Sequence, residues 1–143
     1  MLSHPRSAAR GPRRAVAAVE LAVLLPFLMF LFVIGVDFAR VFYHSLTLTN
    51  CARNGAFYGC QDATHAADTA GIQTAALADA GNLSPAPTVS STTTTDADGN
   101  SCVQVTMTYP FQTITSYPGV PSSLTLTRTV QMRTAPTVPT NFP

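Results

Sequence analysis

From Ala15 to Val36 the chain reads AVAAVELAVLLPFLMFLFVIGV, and this run limits the architecture more than any other feature. It is apolar apart from small residues, Pro26 and a single charge, Glu20. Coiled as a helix at 1.5 Å per residue it is about 33 Å long, against a bilayer hydrocarbon core of about 30 Å. Lipid offers no hydrogen bonds, so a run of this kind spans as a helix, which satisfies its backbone internally. The competing reading is a cleaved secretory signal, whose apolar core is shorter and ends at an A-x-A cut. Here no A-x-A follows, and a helical pattern continues through DFARVFYHSLTLTNCARNGAFYG. The retained span, 16–36, is the reading adopted. Pro26 removes one helical hydrogen bond and crowds the carbonyl of Ala22, which predicts a weakened turn or kink there.

Charge sets the topology. All the side-chain cations apart from histidine are arginines; Arg6, Arg10, Arg13 and Arg14 precede the span. Basic residues flanking a first span hold their side in the cytoplasm. Residues 1–15 are therefore expected to be a cytoplasmic basic leader, and everything after 36 to be exported from a single-pass inner-membrane protein. Arg40, Arg53, Arg128 and Arg133 are isolated, so no basic patch for nucleic acid is present in the sequence.

The exported part predicts an α+β fold: the long transmembrane helix continues into an exported helix packed with a small antiparallel sheet of about three strands. In the extension, 37–60, Phe38, Val41, Phe42, Ser45, Leu46, Leu48 and Ala52 recur at helical spacing and predict one packed stripe. Asp37 and Arg40 are placed to pair at i, i+3. Gly55 and Gly59 weaken the helix, and Gly59 is its predicted stop. Residues 61–135 form the small exported domain. Within it, DATHAADTAGIQTAALADAG predicts a second helix with Asp62 as N-cap, Gly81 as stop and an apolar face of Ala66, Ala70, Ile72, Ala76 and Leu77. TVSSTTTT, SCVQVTMTYPF and LTLTRTVQMR alternate as strands, the first two joined by the turn DADGN. Residues 136–143 are a proline-punctuated irregular tail.

No Ser-His-Asp set, HExxH, Walker loop or dinucleotide fingerprint occurs, so no catalytic residue, cofactor, metal ligand or small-molecule substrate is read from the sequence, and the expectation is a protein that is not an enzyme. The cysteines all follow the span, in what is expected to be an oxidising space. Helical Cys51 and Cys60 would stand about 13 Å apart, too far to bridge. Cys60 and Cys102 are the candidate pair, with free or intermolecular thiols as the alternatives.

Glu20 admits two readings. A charge at mid-bilayer costs about 2.5–3.5 kcal/mol, less near an interface. Glu20 lies about 7.5 Å beyond Ala15 along the helix, so it is either an acid tolerated beside Arg13 and Arg14 or one that meets a positive partner on another subunit. Two unit charges 4 Å apart gain on the order of 4 kcal/mol at an effective dielectric of 20, before desolvation. That offsets the insertion cost and sets a register between helices.

A basic leader, a small residue, four residues and then a glutamate opening an apolar helix is similar to the processing site of type IV pilins and pseudopilins. More narrowly, RRAVAAVELAVLLPFLMFLFVIGVDFARVF with NCARNGAFYG resembles the TadE-like family of tight-adherence pilus assembly proteins, over roughly Arg13 to Gly59. The resemblance implies a non-enzymatic, pseudopilin-like assembly protein of a tight-adherence (Flp-type) pilus or related secretion machine, with other pilus or pseudopilin subunits and a prepilin peptidase as partners. It implies a cut between Ala15 and Val16, leaving Glu20 as the fifth mature residue, opposite the freed amine of a neighbouring Val16. Ala15 stands where the family pattern has glycine. The alternative is an uncleaved membrane-anchored surface binding module, in which the β-rich half does the recognising.

Overall fold

The computed structural model describes residues 12–114 and 121–136; most of the basic leader and most of the tail lie outside the described residues. The element order is α1 (Pro12–Gly59), α2 (Ala63–Ala67), α3 (Thr69–Leu77), β1 (Thr88–Thr95), β2 (Ser101–Gln112) and β3 (Ser123–Arg133). Two compact units meet at the Val36–Asp37 bond.

The first unit is the N-terminal part of α1. Its large apolar side chains face outward, with Val23 73% and Phe32 66% exposed. The helix runs through Pro26 and past Val36, as the missing stop signal predicts.

The second unit begins at Asp37. Its sheet has the order β1-β2-β3, all antiparallel. Alternation decides what faces the helices: Val103, Val105, Met107, Tyr109 and Phe111 of β2 are buried, and opposite them on β3 lie Met132, Val130, Arg128, Leu126 and Leu124. The other face is hydroxyl-rich, with rows such as Thr88–Thr108–Thr127 and Ser90–Thr106–Thr129 across the three strands. Thr106 and Thr129 share a hydroxyl hydrogen bond of 2.9 Å. The DADGN turn closes β1 to β2 as expected: Gly99 sits at φ +82, and Asp96 accepts from the backbone N–H of Asp98 and of Asn100.

The helical layer differs from the sequence expectation in two ways. Ser45, Leu48, Cys51, Ala52, Gly55 and Ala56 of α1 are buried, whereas Phe38, Phe42 and Leu46 are exposed. The predicted stripe is therefore split, and the face that packs on the sheet is the small-residue one. Its glycines have a packing reason: a Cβ on Gly55 would lie 3.0 Å from Ala76 Cβ, and one on Gly59 3.0 Å from Val103 Cγ2. At these two positions α1 approaches α3 and β2 so closely that a larger residue would have to push its neighbours aside.

The expected second helix is two helices. Asp62 caps α2 by accepting from His65 N–H, as predicted, but Asp68 leaves helical geometry (φ −80, ψ 81) and caps α3 through Gly71 N–H. A side chain that can accept from a backbone N–H two or three residues on favours such a restart. The helix ends at Leu77, before Gly81. Ala66, Ile72 and Ala76 are buried as expected; Ala70 is exposed.

Candidate functional site

Ala15, Val16 and Glu20 lie on one helix, all exposed. Val16 and Glu20 are four residues apart and so share a face. Glu20 lines a shallow apolar depression with Val19, Val23 and Leu24. Among the described side chains it has no hydrogen-bond or ion-pair partner. Its surroundings are thus methyl groups open to whatever covers the helix, a setting in which a carboxylate is costly until it meets a cation.

Cys60 and Cys102 belong to the second unit, and all three cysteines are free. Cys60 Sγ turns back to Phe57 O at 3.2 Å, and Cys102 Sγ points to Asn100 O at 3.7 Å. Each thiol is engaged with a backbone carbonyl two or three residues before it. Cys51 is fully buried in the helix–sheet core, where burial and then the Asp79 charge push its thiol pKa up.

At the start of the second unit the expected Asp37–Arg40 pair is present at 3.0 Å. The same aspartate also does something the spacing does not announce: both carboxylate oxygens accept the backbone N–H of Ile114, at 3.0 and 3.1 Å. Arg40 Nη1 reaches Gln112 O at 3.4 Å, and its guanidinium lies 5.0 Å from the Phe111 ring centroid. The end of β2 is therefore clamped to the first turn after the apolar run. The only sequence signal for this clamp is an acid placed directly after the span, and its partner lies 77 residues away.

On the outward side of α1, Phe38 (75% exposed), Phe42 (61%) and Leu46 (51%) form an apolar strip. It borders a groove that includes Val41, Thr49 and Arg128. Arg128 reaches across from β3 to donate to the Ser45 hydroxyl at 3.0 Å, which satisfies a buried serine.

Among the described residues one exposed helix is long and apolar enough to cross a bilayer, as a single-pass membrane protein requires. The family model described as TadE-like protein matches residues 15–56, so the TadE-like resemblance holds over the apolar run and most of the helix beyond it. No curated protein and no solved structure matches the chain.

Proposed function

We propose that this chain is a non-enzymatic, pseudopilin-like subunit that assembles with other subunits of a tight-adherence pilus or related secretion machine. Its N-terminus lies in the cytoplasm and the part from Asp37 onward is exported. The observation that carries the reading is Glu20, set on a TadE-like helix among exposed Val19, Val23 and Leu24 with no partner among the described side chains. A carboxylate in that setting is stabilised when a neighbouring subunit supplies a cation, and the amine freed by a cut between Ala15 and Val16 is a cation of the right position. In the second unit, Phe38, Phe42 and Leu46 are a further exposed apolar strip.

The test is the N-terminal residue of the protein isolated from its native membrane, by intact mass. A start at Val16 supports processing and gives Glu20 its partner. With that start, Glu20→Gln is expected to insert normally and to lose co-purification with its partner subunits. A start at Met1 removes the amine and leaves the alternative, an uncleaved anchor for a binding module. The hydroxyl-rich open face of the sheet is the feature that favours that second reading. Under it, Glu20→Leu leaves assembly unchanged.

A further inference from the structure

β1 is an edge strand. The sheet order β1-β2-β3 gives it β2 as its one strand neighbour, and it pairs with β2 without a bulge from Thr88↔Thr108 to Thr95↔Ser101. In an antiparallel pair alternate residues turn their N–H and C=O away from the partner, so about half of the strand presents backbone donors and acceptors outward. Among the described residues, no backbone–backbone hydrogen bond joins Thr88–Thr95 to any element but β2. Mid-strand, Thr92 and Thr93 point to opposite faces of the sheet and both are exposed, so nothing closes over the edge there. Val89, by contrast, is half-buried against the helix–sheet core.

An open row of N–H and C=O groups is a template for another strand, and exposed edges are ordinarily blunted by charges, proline, a bulge or short length. β1 has none of these. TVSSTTTT holds no charge and no proline, its register is unbroken, and its eight residues exceed the common strand length of about five or six. The other edge strand, β3, carries Arg128 and Arg133. Thr88, Val89 and the run Thr92–Thr95 are β-branched, which holds the strand extended before anything binds.

We infer that the free edge of β1 is a docking site for an extended, uncharged segment of a different polypeptide, which adds to the sheet as a fourth strand. Main-chain hydrogen bonds supply the affinity and the flanking side chains the selectivity. Ser90 and Thr92 on the open face favour Thr or Ser opposite them, and Val89 on the helix side favours a small apolar residue. A charged segment finds no counter-ion in β1 or in the facing stretch of β2, Ser101–Thr108. A second copy fits less well. β2 runs antiparallel to residues 37–59 of α1, since Val103 packs at Gly59, Val105 at Gly55 and Phe111 beside His44. Antiparallel pairing of β1 with its own copy turns one copy end for end in the plane of the sheet. The two Asp37 ends, each bonded to an apolar run, then leave in opposite directions. A strand of another chain carries no such restriction, and its docking depends on neither Glu20 nor a cut at Ala15.

The test is residue-resolved hydrogen exchange on the full chain, extracted with its neighbours from the native membrane and, separately, purified alone. The alternate amides of Ser90–Thr94 that face away from β2 are expected to exchange on the order of tenfold more slowly in the native extract, with the β1–β2 ladder amides unchanged. Thr92→Lys, at an exposed position, should keep its melting temperature and lose that protection. Thr93→Lys, on the opposite face, is the second variant should the first disturb folding. A photo-reactive phenylalanine analogue in place of Thr92 should cross-link, in the native membrane, to an uncharged extended segment of one other chain, read by mass spectrometry. Equal exchange in the two preparations overturns the inference. Protection that appears in the chain alone and rises with its concentration, or a cross-link between two copies, means self-pairing and overturns it as well. Protection that survives both lysine variants means that a neighbour covers the edge without pairing to it, which is the third way for the inference to fail.

Discussion

The Tyr58 hydroxyl donates to Asp68 Oδ2 at 2.8 Å while Gly71 N–H donates to Oδ1 of the same carboxylate at 2.9 Å. One aspartate thus caps α3 and ties it to the last turn of α1. The Gly71 N–H and then the Tyr58 hydroxyl hold the Asp68 carboxyl below the usual carboxylate range, and the same contact pushes the Tyr58 phenol up. A folded-state value below the unfolded one, about 3.9, means stability that is complete above that pH and is lost as pH falls through the folded value. Asp68→Asn is expected to lower stability at neutral pH and to flatten part of the acid limb of a stability–pH curve. The flattening is partial, because Asp62 and Asp96 are depressed in the same direction. An unchanged acid limb in the variant would rule out the cap as a source of acid sensitivity.

His44 gives a second and separate pH response. Its ring stands 5.4 Å from that of Tyr109 and 5.5 Å from that of Phe111, and burial followed by the Arg40 charge lowers its pKa. The folded protein therefore prefers neutral imidazole. Stability is full above the unfolded value, about 6.5, and declines as pH falls from there towards the folded value. Chemical denaturation from pH 7.5 down to about pH 5 should show this loss, and His44→Gln should abolish the slope in that window. A slope that survives the substitution belongs to another group.

Gly55→Ala separates helix propensity from packing. In an isolated helix the change gains about 1 kcal/mol. Here the new Cβ would lie 3.0 Å from Ala76 Cβ and 3.2 Å from the Ile72 carbonyl oxygen, which belongs to the backbone and cannot swing aside. Overpacking of this kind costs about 1–3 kcal/mol, so the expected net is a loss on the order of 1 kcal/mol. A more stable variant in urea denaturation would show that the α1–α3 spacing relaxes freely.

Thiol counting settles the state of the cysteines. Cys51 and Cys102 are 0% and 4% exposed, while Cys60 is half-buried. A thiol reagent applied to the native protein should modify Cys60 first, with Cys51 slowest because burial also raises its pKa. After unfolding without reductant, all three should react. Recovery of a single reactive thiol would instead reveal a Cys60–Cys102 bridge in the native protein.

The local elements were legible from residue order because their signals are local. The apolar run from Ala15 to Val36 specifies a span by length alone, alternation at Val103, Val105 and Met107 specifies a strand with one buried face, and DADGN specifies a tight turn. The spacing of Ala15, Val16 and Glu20 and the TadE-like resemblance are likewise properties of contiguous residues, and the family match falls on that same stretch. What sequence periodicity could not decide is which side of the extension helix meets the sheet. Phe38, Phe42 and Leu46 look like the core stripe by hydropathy, yet the close approach of β2 selects the glycine and alanine face. The Asp68 carboxylate also takes a hydrogen bond from a tyrosine of another helix, and the bond between Asp37 and Ile114 joins residues that only the returning strand brings together. Periodicity records which residues can be buried, but the choice among those faces, and the pairing of distant polar groups, follows from how closely the elements pack once assembled.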